Sequence, residues 1–322
     1  MFELERLNER FLKDFDIKIK PDIAYTDYFD ARLKQYELYK PGTIEKYEEF
    51  KKYITDTYEN MDSYYNERNN FIRTVLMDQQ MRQEKYGIKG NELKEYNIKK
   101  YPFSRRDVYN DEGLNKTFIS MDLKSASFQA LRYFNKEIIR NTDSYKDYVS
   151  LFTDKLYFDN KRIRSSVFGK TCNDKIAKIE KFITEKILLE VLKTEEESSI
   201  RSFNNDEVVF EVQNNSSTTV ENVKKLAKNL DIIVDIEQFE LSKIIGSDNG
   251  YVKNLIDLNT GEKKREFCGL NINQVPFAIA ALSKTEIKDE LLYFVNQEGY
   301  LCKMIEYPEF SIQQYKEKDI ER

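Results

Sequence analysis

Two aspartates carry the first chemical signal in this chain. Asp122 closes the apolar run Phe118-Ile119-Ser120-Met121, and Asp206 stands in the turn-like Asn204-Asn205-Asp206-Glu207 ahead of Val208, Phe210 and Val212. The first run reads as a strand followed by a helical stretch with Ala126, Phe128, Ala130, Leu131 and Phe134. The second reads as a turn feeding a strand whose apolar residues alternate onto one face. Taken singly, a strand-end aspartate is ordinarily a turn or cap residue, and Glu207 an ordinary solvated charge. Brought side by side, the two aspartates would suit Mg²⁺ (or Mn²⁺), a hard cation that takes carboxylate oxygens and lets substrate phosphates complete its shell. Two such ions about 4 Å apart serve in-line phosphoryl transfer.

The stretch between the aspartates is basic. Residues 161–186 hold Lys161, Arg162, Arg164, Lys170, Lys175, Lys178, Lys181 and Lys186 against Asp174, Glu180 and Glu185. The whole chain is acidic, with 52 Lys and Arg, 57 Asp and Glu and a net charge of −5, so this island stands out. A triphosphate in line with metal ions needs such cations. The plainer reading is a basic amphipathic helix. Arg164 and Phe168 are four residues apart and share one helical face.

Asn205-Asp206-Glu207-Val-Val-Phe-Glu-Val resembles the third palm motif of family A DNA polymerases, which usually reads His-Asp-Glu before an apolar strand; Asn205 replaces the His. Asp122-Leu-Lys-Ser-Ala-Ser-Phe-Gln129 resembles the first palm motif of template-directed polymerases. Its Asp-x-Lys-Ser-Ala is also similar to reverse transcriptases, and Gln129 to single-subunit phage RNA polymerases. Arg164-Ser-Ser-Val-Phe168-Gly169 resembles the family A fingers helix, with Arg for the usual Lys. The usual Arg one turn earlier falls on Asn160, with Lys161 or Arg162 as substitutes. The usual Tyr-Gly one turn later is absent, since Cys172-Asn173 lies there. The resemblance covers roughly residues 115–243.

That resemblance implies an α+β fold: a palm-like antiparallel sheet with helices on one face (113–243), a helical fingers insertion at about 136–198, and a helical, thumb-like region over 1–112. Residues 244–322 form an α/β extension without an assigned role. The implied activity is template-directed nucleotidyl transfer, DNA polymerase-like, on a nucleic acid template and primer with nucleoside triphosphates. Asp122, Asp206 and the backbone carbonyl of Leu123 would hold the metals, and Glu207 would orient a water or the primer end. Arg164 with Lys161, Arg162 or Lys170 would steady the triphosphate, with Phe168 stacked near the base. Ser127 and Gln129 complete the substrate side. Ser127 lies where the resembled families often exclude a ribose 2′-hydroxyl; its small size predicts weak sugar discrimination and acceptance of ribonucleotides, unless another residue acts as gate. Other readings fit the same residues: an inactive palm-fold subunit for nucleic-acid binding or assembly, a primase-like or template-independent enzyme, an RNA-synthesising enzyme, or an unrelated α+β binding protein. The small size suggests a helper for processive synthesis.

The 322 residues suffice for a sizeable core. The absence of histidine removes His-based triads, ligands and acid–base pairs. Cys172, Cys268 and Cys302 are too scattered for a disulfide framework or zinc site. No apolar run is long enough to span a membrane and charge begins at Glu3, which predicts a cytoplasmic (or host-cytoplasmic) location. The pattern predicts helices over Met1–Phe15, Thr43–Tyr86 (one or two), Lys161–Gly169 capped by Asp159-Asn160, and Lys175–Lys193. Hairpin turns are expected at Asn259 and Asn296, and an apolar helix opening at Asn273–Phe277. The apolar parity shifts between Ile236 and Phe239, which predicts a bulge near Gln238. Arg105 and Arg106 are candidate phosphate contacts, and Lys263-Lys264-Arg265 reads as a solvated turn.

Overall fold

The computed structural model describes residues 3–87, 89, 95–102, 108–153, 160–171, 174–212 and 216–313. Arg105 and Arg106, Asp159, Cys172 and Asn173 lie outside them, as does the side chain of Lys170. The fold is α+β. Four helices lead: α1 (Leu4–Asp14), α2 (Phe29–Tyr39), α3 (Thr43–Thr57) and α4 (Met61–Tyr86). The Thr43–Tyr86 stretch is thus two helices. Tyr58–Asn60 separate them, and Asn60 caps α4 by accepting from the Ser63 N–H.

Strand β1 (Thr117–Leu123) then turns sharply into α5 (Ala126–Phe134) through Ser125, whose backbone is left-handed at φ 54°. Helices α6 (Tyr145–Ser150), α7 (Lys161–Thr171) and α8 (Asp174–Val191) follow. Asn160 caps α7 by accepting from Ile163 N–H at 3.0 Å. The hairpin β2 (Ile200–Phe203) and β3 (Glu207–Glu211) leads to α9 (Ser216–Leu230), then β4 (Val234–Ile245), β5 (Tyr251–Asp257) and β6 (Lys263–Cys268). Helix α10 (Val275–Ser283) begins beside Pro276, and β7 (Tyr293–Val295), β8 (Leu301–Lys303) and β9 (Ser311–Ile312) complete the order.

One antiparallel sheet runs β2-β3-β1-β4-β5-β6, with β9 added on β4; β7 and β8 pair separately. Its two faces have separate cores. Ile119, Met121, Leu123, Val208, Phe210, Val234 and Ile236 face the main core, which also takes in residues of α5, α8 and α9. Phe118, Val209, Phe239, Leu241 and Leu255 lie on the opposite face under Val108 and Leu114. This removes the bulge expected near Gln238. β4 pairs with β1 without a register break, Gln238 opposite Ile119. The apolar parity changes because the strand buries one face at its start and the other further along.

Two expectations on organisation change. The segment boundary at 243/244 falls inside β4, and β5 and β6 extend the same sheet. The N-terminal helices pack into the same body: one apolar core runs from Leu7 to Val295. Gln35 and Arg32 on α2 donate to the carbonyls of Pro276 and Tyr293 at 2.6 and 2.8 Å. Lys263-Lys264-Arg265 opens β6 as exposed strand rather than turn. The turns at Asn259 and Asn296 do join β5 to β6 and β7 to β8, with Gly261 and Gly299 supplying the positive φ each requires. Among the described residues no helix is long and apolar enough to cross a membrane.

Candidate active site

The β2–β3 hairpin fixes Asp206. Asn204 N–H donates to the Glu207 carbonyl at 2.8 Å, leaving Asn205 and Asp206 as the loop tip. Buried Thr184 on α8 ties that loop to the helix layer, its hydroxyl donating to the Asn205 carbonyl at 2.8 Å. Strand β1 brings Asp122 alongside: the Leu123 N–H donates to the Asp206 carbonyl at 2.7 Å. The two aspartates, far apart in sequence, therefore sit at adjoining strand ends. The Leu123 side chain is in the core, so only its backbone faces this end.

The ladder adds further carboxylates. Asp122 stands opposite Glu207 on one side and opposite Asp235 on the other. Residues directly across a ladder share a face, so Asp122, Glu207 and Asp235 form a row, with Glu237 two residues along β4. The row lies on the face opposite the main core. Ser120 donates to Glu207 at 2.6 Å, and the Asn204 amide approaches the same carboxylate at 3.5 Å. Lys124 reaches Asp235 at 3.3 Å, and buried Lys253 donates to Glu237 at 2.9 Å. Asp122 has no such cation among the described residues. Its pKa is pushed up to about 7, first by burial and then by the charges of Asp206, Glu207, Asp235 and Glu237.

Helix α8 sends a further carboxylate to this end. Ser127 donates to Glu180 at 2.6 Å. Burial raises the Glu180 pKa, the Ser127 hydrogen bond opposes this, and the Asp206 charge adds to the rise.

Other residues singled out from sequence lie elsewhere. Phe168 is a correction: its ring is buried at 3 % exposure, edge-on to Phe128 and Tyr145 at 6.3 and 5.7 Å, and is not presented for stacking on a base. An aromatic on the inner face of α7 gains more from the core than from solvent. Gln129 is also buried, at 1 % exposure. Arg164 lies over the Tyr145 ring at 5.7 Å. Lys161 and Arg162 are exposed at the start of α7. Lys181 and Lys186 lie over the rings of Phe203 and Phe182 at 4.4 and 4.6 Å. Of the basic island, Arg164, Lys181 and Lys186 are thus each set over an aromatic ring.

Asp235, Glu237 and Glu180 were missed in the sequence. Asp235 and Glu237 are the polar positions of an alternating strand, which read as solvent-facing, and Glu180 is one carboxylate within a basic helix. Among the described residues, no three carboxylate or thiol side chains gather closely enough to hold a metal ion by themselves. The donor set still fits a divalent cation shared with a substrate: Asp122 and Asp206 adjoin, and Asp122 is electrostatically frustrated without positive charge. Comparison with known proteins matches this chain to no family model, no curated protein and no solved structure.

Proposed function

We propose that this chain is a template-directed nucleotidyltransferase, DNA polymerase-like, that extends a primer on a nucleic acid template from nucleoside triphosphates. The observation that carries the reading is the meeting of Asp122 and Asp206 at adjoining strand ends, with Asp122 half-buried among like charges. An antiparallel sheet with helices packed on one face is compatible with the sheet the palm resemblance implies.

Asp122 and Asp206 would hold the Mg²⁺ (or Mn²⁺), with the Leu123 carbonyl within the same strand end. The metals, when bound, lower the pKa of the primer 3′-hydroxyl and support the pyrophosphate leaving group. Ser120 holds the Glu207 carboxylate at the edge of this site, where it orients water or the primer terminus. Lys124 and Lys253 limit the negative charge of Asp235 and Glu237. Template and primer are gripped through phosphates and read by base pairing.

Primer extension on DNA and RNA templates, with both nucleotide sets and either metal, tests this reading. Extension that falls at least about a thousandfold in Asp122→Ala and Asp206→Ala supports it. Nucleic-acid binding without extension would select the second reading, an inactive palm-like binding subunit, which the burial of Phe168 favours. Extension that persists without template would select a terminal-transferase-like enzyme.

A further inference from the structure

Arg68 on α4 is buried at 7 % exposure, and its Nε has no hydrogen-bond partner. A buried guanidinium without an acceptor is costly, since its desolvation is not offset. The Asp14 carboxylate on α1 is already committed. Asp14 accepts from Arg10 Nε at 2.8 Å and from the Tyr64 hydroxyl at 3.2 Å, and Arg10 Nη2 binds its other oxygen. The groups that act on Arg68 are the phenols of Tyr64 and Tyr65, neutral at pH 7, and the Arg162 guanidinium, which repels it. Arg162 lies exposed in the first turn of α7, which packs against both α4 and α1. Arg10 on α1, Arg68 on α4 and Arg162 on α7 thus lie close enough to repel one another, and Asp14 is bound to Arg10.

We propose that the junction of α4 and α7 is an anion site in which Arg68 and Arg162 clasp a phosphate of the bound nucleic-acid backbone. The inference rests on the proposed function for the identity of the ligand. Guanidinium is suited to it, since its planar fork offers paired donors to phosphate oxygens. The Arg10–Asp14 pair is neutral overall, so Arg68 and Arg162 leave the junction net positive. The occupant is a backbone phosphate rather than the reacting triphosphate because of distance. Arg162 is separated from Phe168 by roughly 9 Å of helix rise, and it is the Phe168 end of α7 that packs on Phe128, at the start of α5 just beyond Asp122.

The test is fluorescence anisotropy of a labelled primer–template oligonucleotide with wild-type chain, Arg68→Met and Arg162→Met over a range of NaCl, beside thermal unfolding without nucleic acid. Each variant should bind about tenfold more weakly, the scale of one charged hydrogen-bonded contact. Each should also flatten the slope of log K against log salt by about 0.7–0.9. The unliganded Tm of Arg68→Met should stay level or rise, because an unpaired buried charge is removed. Unchanged affinity and slope in both variants, or a clear fall in the Tm of Arg68→Met with unchanged binding in Arg162→Met, overturns the site. If the wild-type chain binds no oligonucleotide, the proposed function fails instead. Pyrophosphate then decides the site alone: a Tm rise that Arg68→Met abolishes retains it, and no rise rejects it.

Discussion

Asp235 stands directly across the ladder from Asp122, and Glu207 stands across from it on the other side. Three adjacent strands thereby place carboxylates in one row, while the cations nearest to it, Lys124 and Lys253, engage Asp235 and Glu237 rather than Asp122. Such a row repels itself, and a divalent cation is the natural relief.

That repulsion predicts a particular pH dependence. With its pKa raised from 3.8 to about 7, Asp122 binds its proton more tightly in the folded state than in the unfolded one. Its contribution therefore disfavours folding progressively as pH rises from about 4 through 7, on the order of 2–4 kcal/mol. In metal-free buffer the Tm should fall between pH 5 and pH 8. Asp122→Asn should flatten the fall and raise the Tm at pH 8 by several degrees, while Mg²⁺ raises the wild-type Tm. Calorimetry across that range checks this, and a pH profile identical in Asp122→Asn would refute it.

Under the proposed function, the Ser127–Glu180 pair would set sugar choice. Ser127 alone is small, but its hydroxyl is committed to a carboxylate delivered by α8, so the bulk beside Ser127 is greater than its side chain suggests. Glu180→Ala should therefore raise use of ATP relative to dATP by about tenfold, within the 1–3 kcal/mol that pocket shape contributes to selectivity. Single-nucleotide incorporation with each substrate measures the ratio. An unchanged ratio would leave sugar choice to other residues.

Thr184 links α8 to the loop carrying Asp206. Thr184→Val keeps the side-chain shape and removes the hydroxyl, leaving the Asn205 carbonyl without that donor. The expected cost is about 1–2 kcal/mol of stability, with kcat lowered more than KM because Asp206 is displaced rather than lost. Urea unfolding and steady-state extension read the two effects. A variant with full stability and lower KM alone would contradict this role.

Asp78 anchors α4 to the segment after α5. Arg140 Nη2 donates to it at 2.5 Å, Tyr148 at 2.9 Å and Arg82 at 3.3 Å. Burial pushes the Asp78 pKa up, but the hydrogen bonds and charges of Arg140, Tyr148 and Arg82 outweigh it, so the net shift is downward. Its stabilisation is therefore present above about pH 4 and is lost in acid as the pH falls through the depressed pKa. Asp78→Ala should cost about 3–5 kcal/mol, the scale of breaking a buried ion pair. Chemical denaturation at pH 7 tests it, and a loss below about 1 kcal/mol would show the cluster to be dispensable.

Much of this arrangement was legible before folding. Period-3.6 patterning outlined α1, α3, α4, α7 and α8, an apolar run outlined β1, alternation outlined β3, and the turns at Asn259 and Asn296 marked their hairpins. The turn chemistry around Asn204–Glu207 placed Asp206 at a loop tip, and the apolar run before Asp122 placed it at a strand end. These features depend on residues within a few positions of each other, so the sequence alone determines them.

Tertiary structure decided what those positions face. Phe168 and Arg164 share a helical face in either state, but only packing against Phe128 and Tyr145 turned the ring into core. Asp235 became a neighbour of Asp122 because β4 buries Val234 and Ile236 at its start and Phe239 and Leu241 further along, a register set by two cores at once. Glu180 reached Ser127 through the docking of α8 on α5, and Arg68 met Arg162 through that of α4 on α7. Local periodicity fixes which side chains share a face. Which face meets which, across a hundred residues of chain, follows from the apolar area that each pairing removes from water, and that becomes defined only when all the elements pack together.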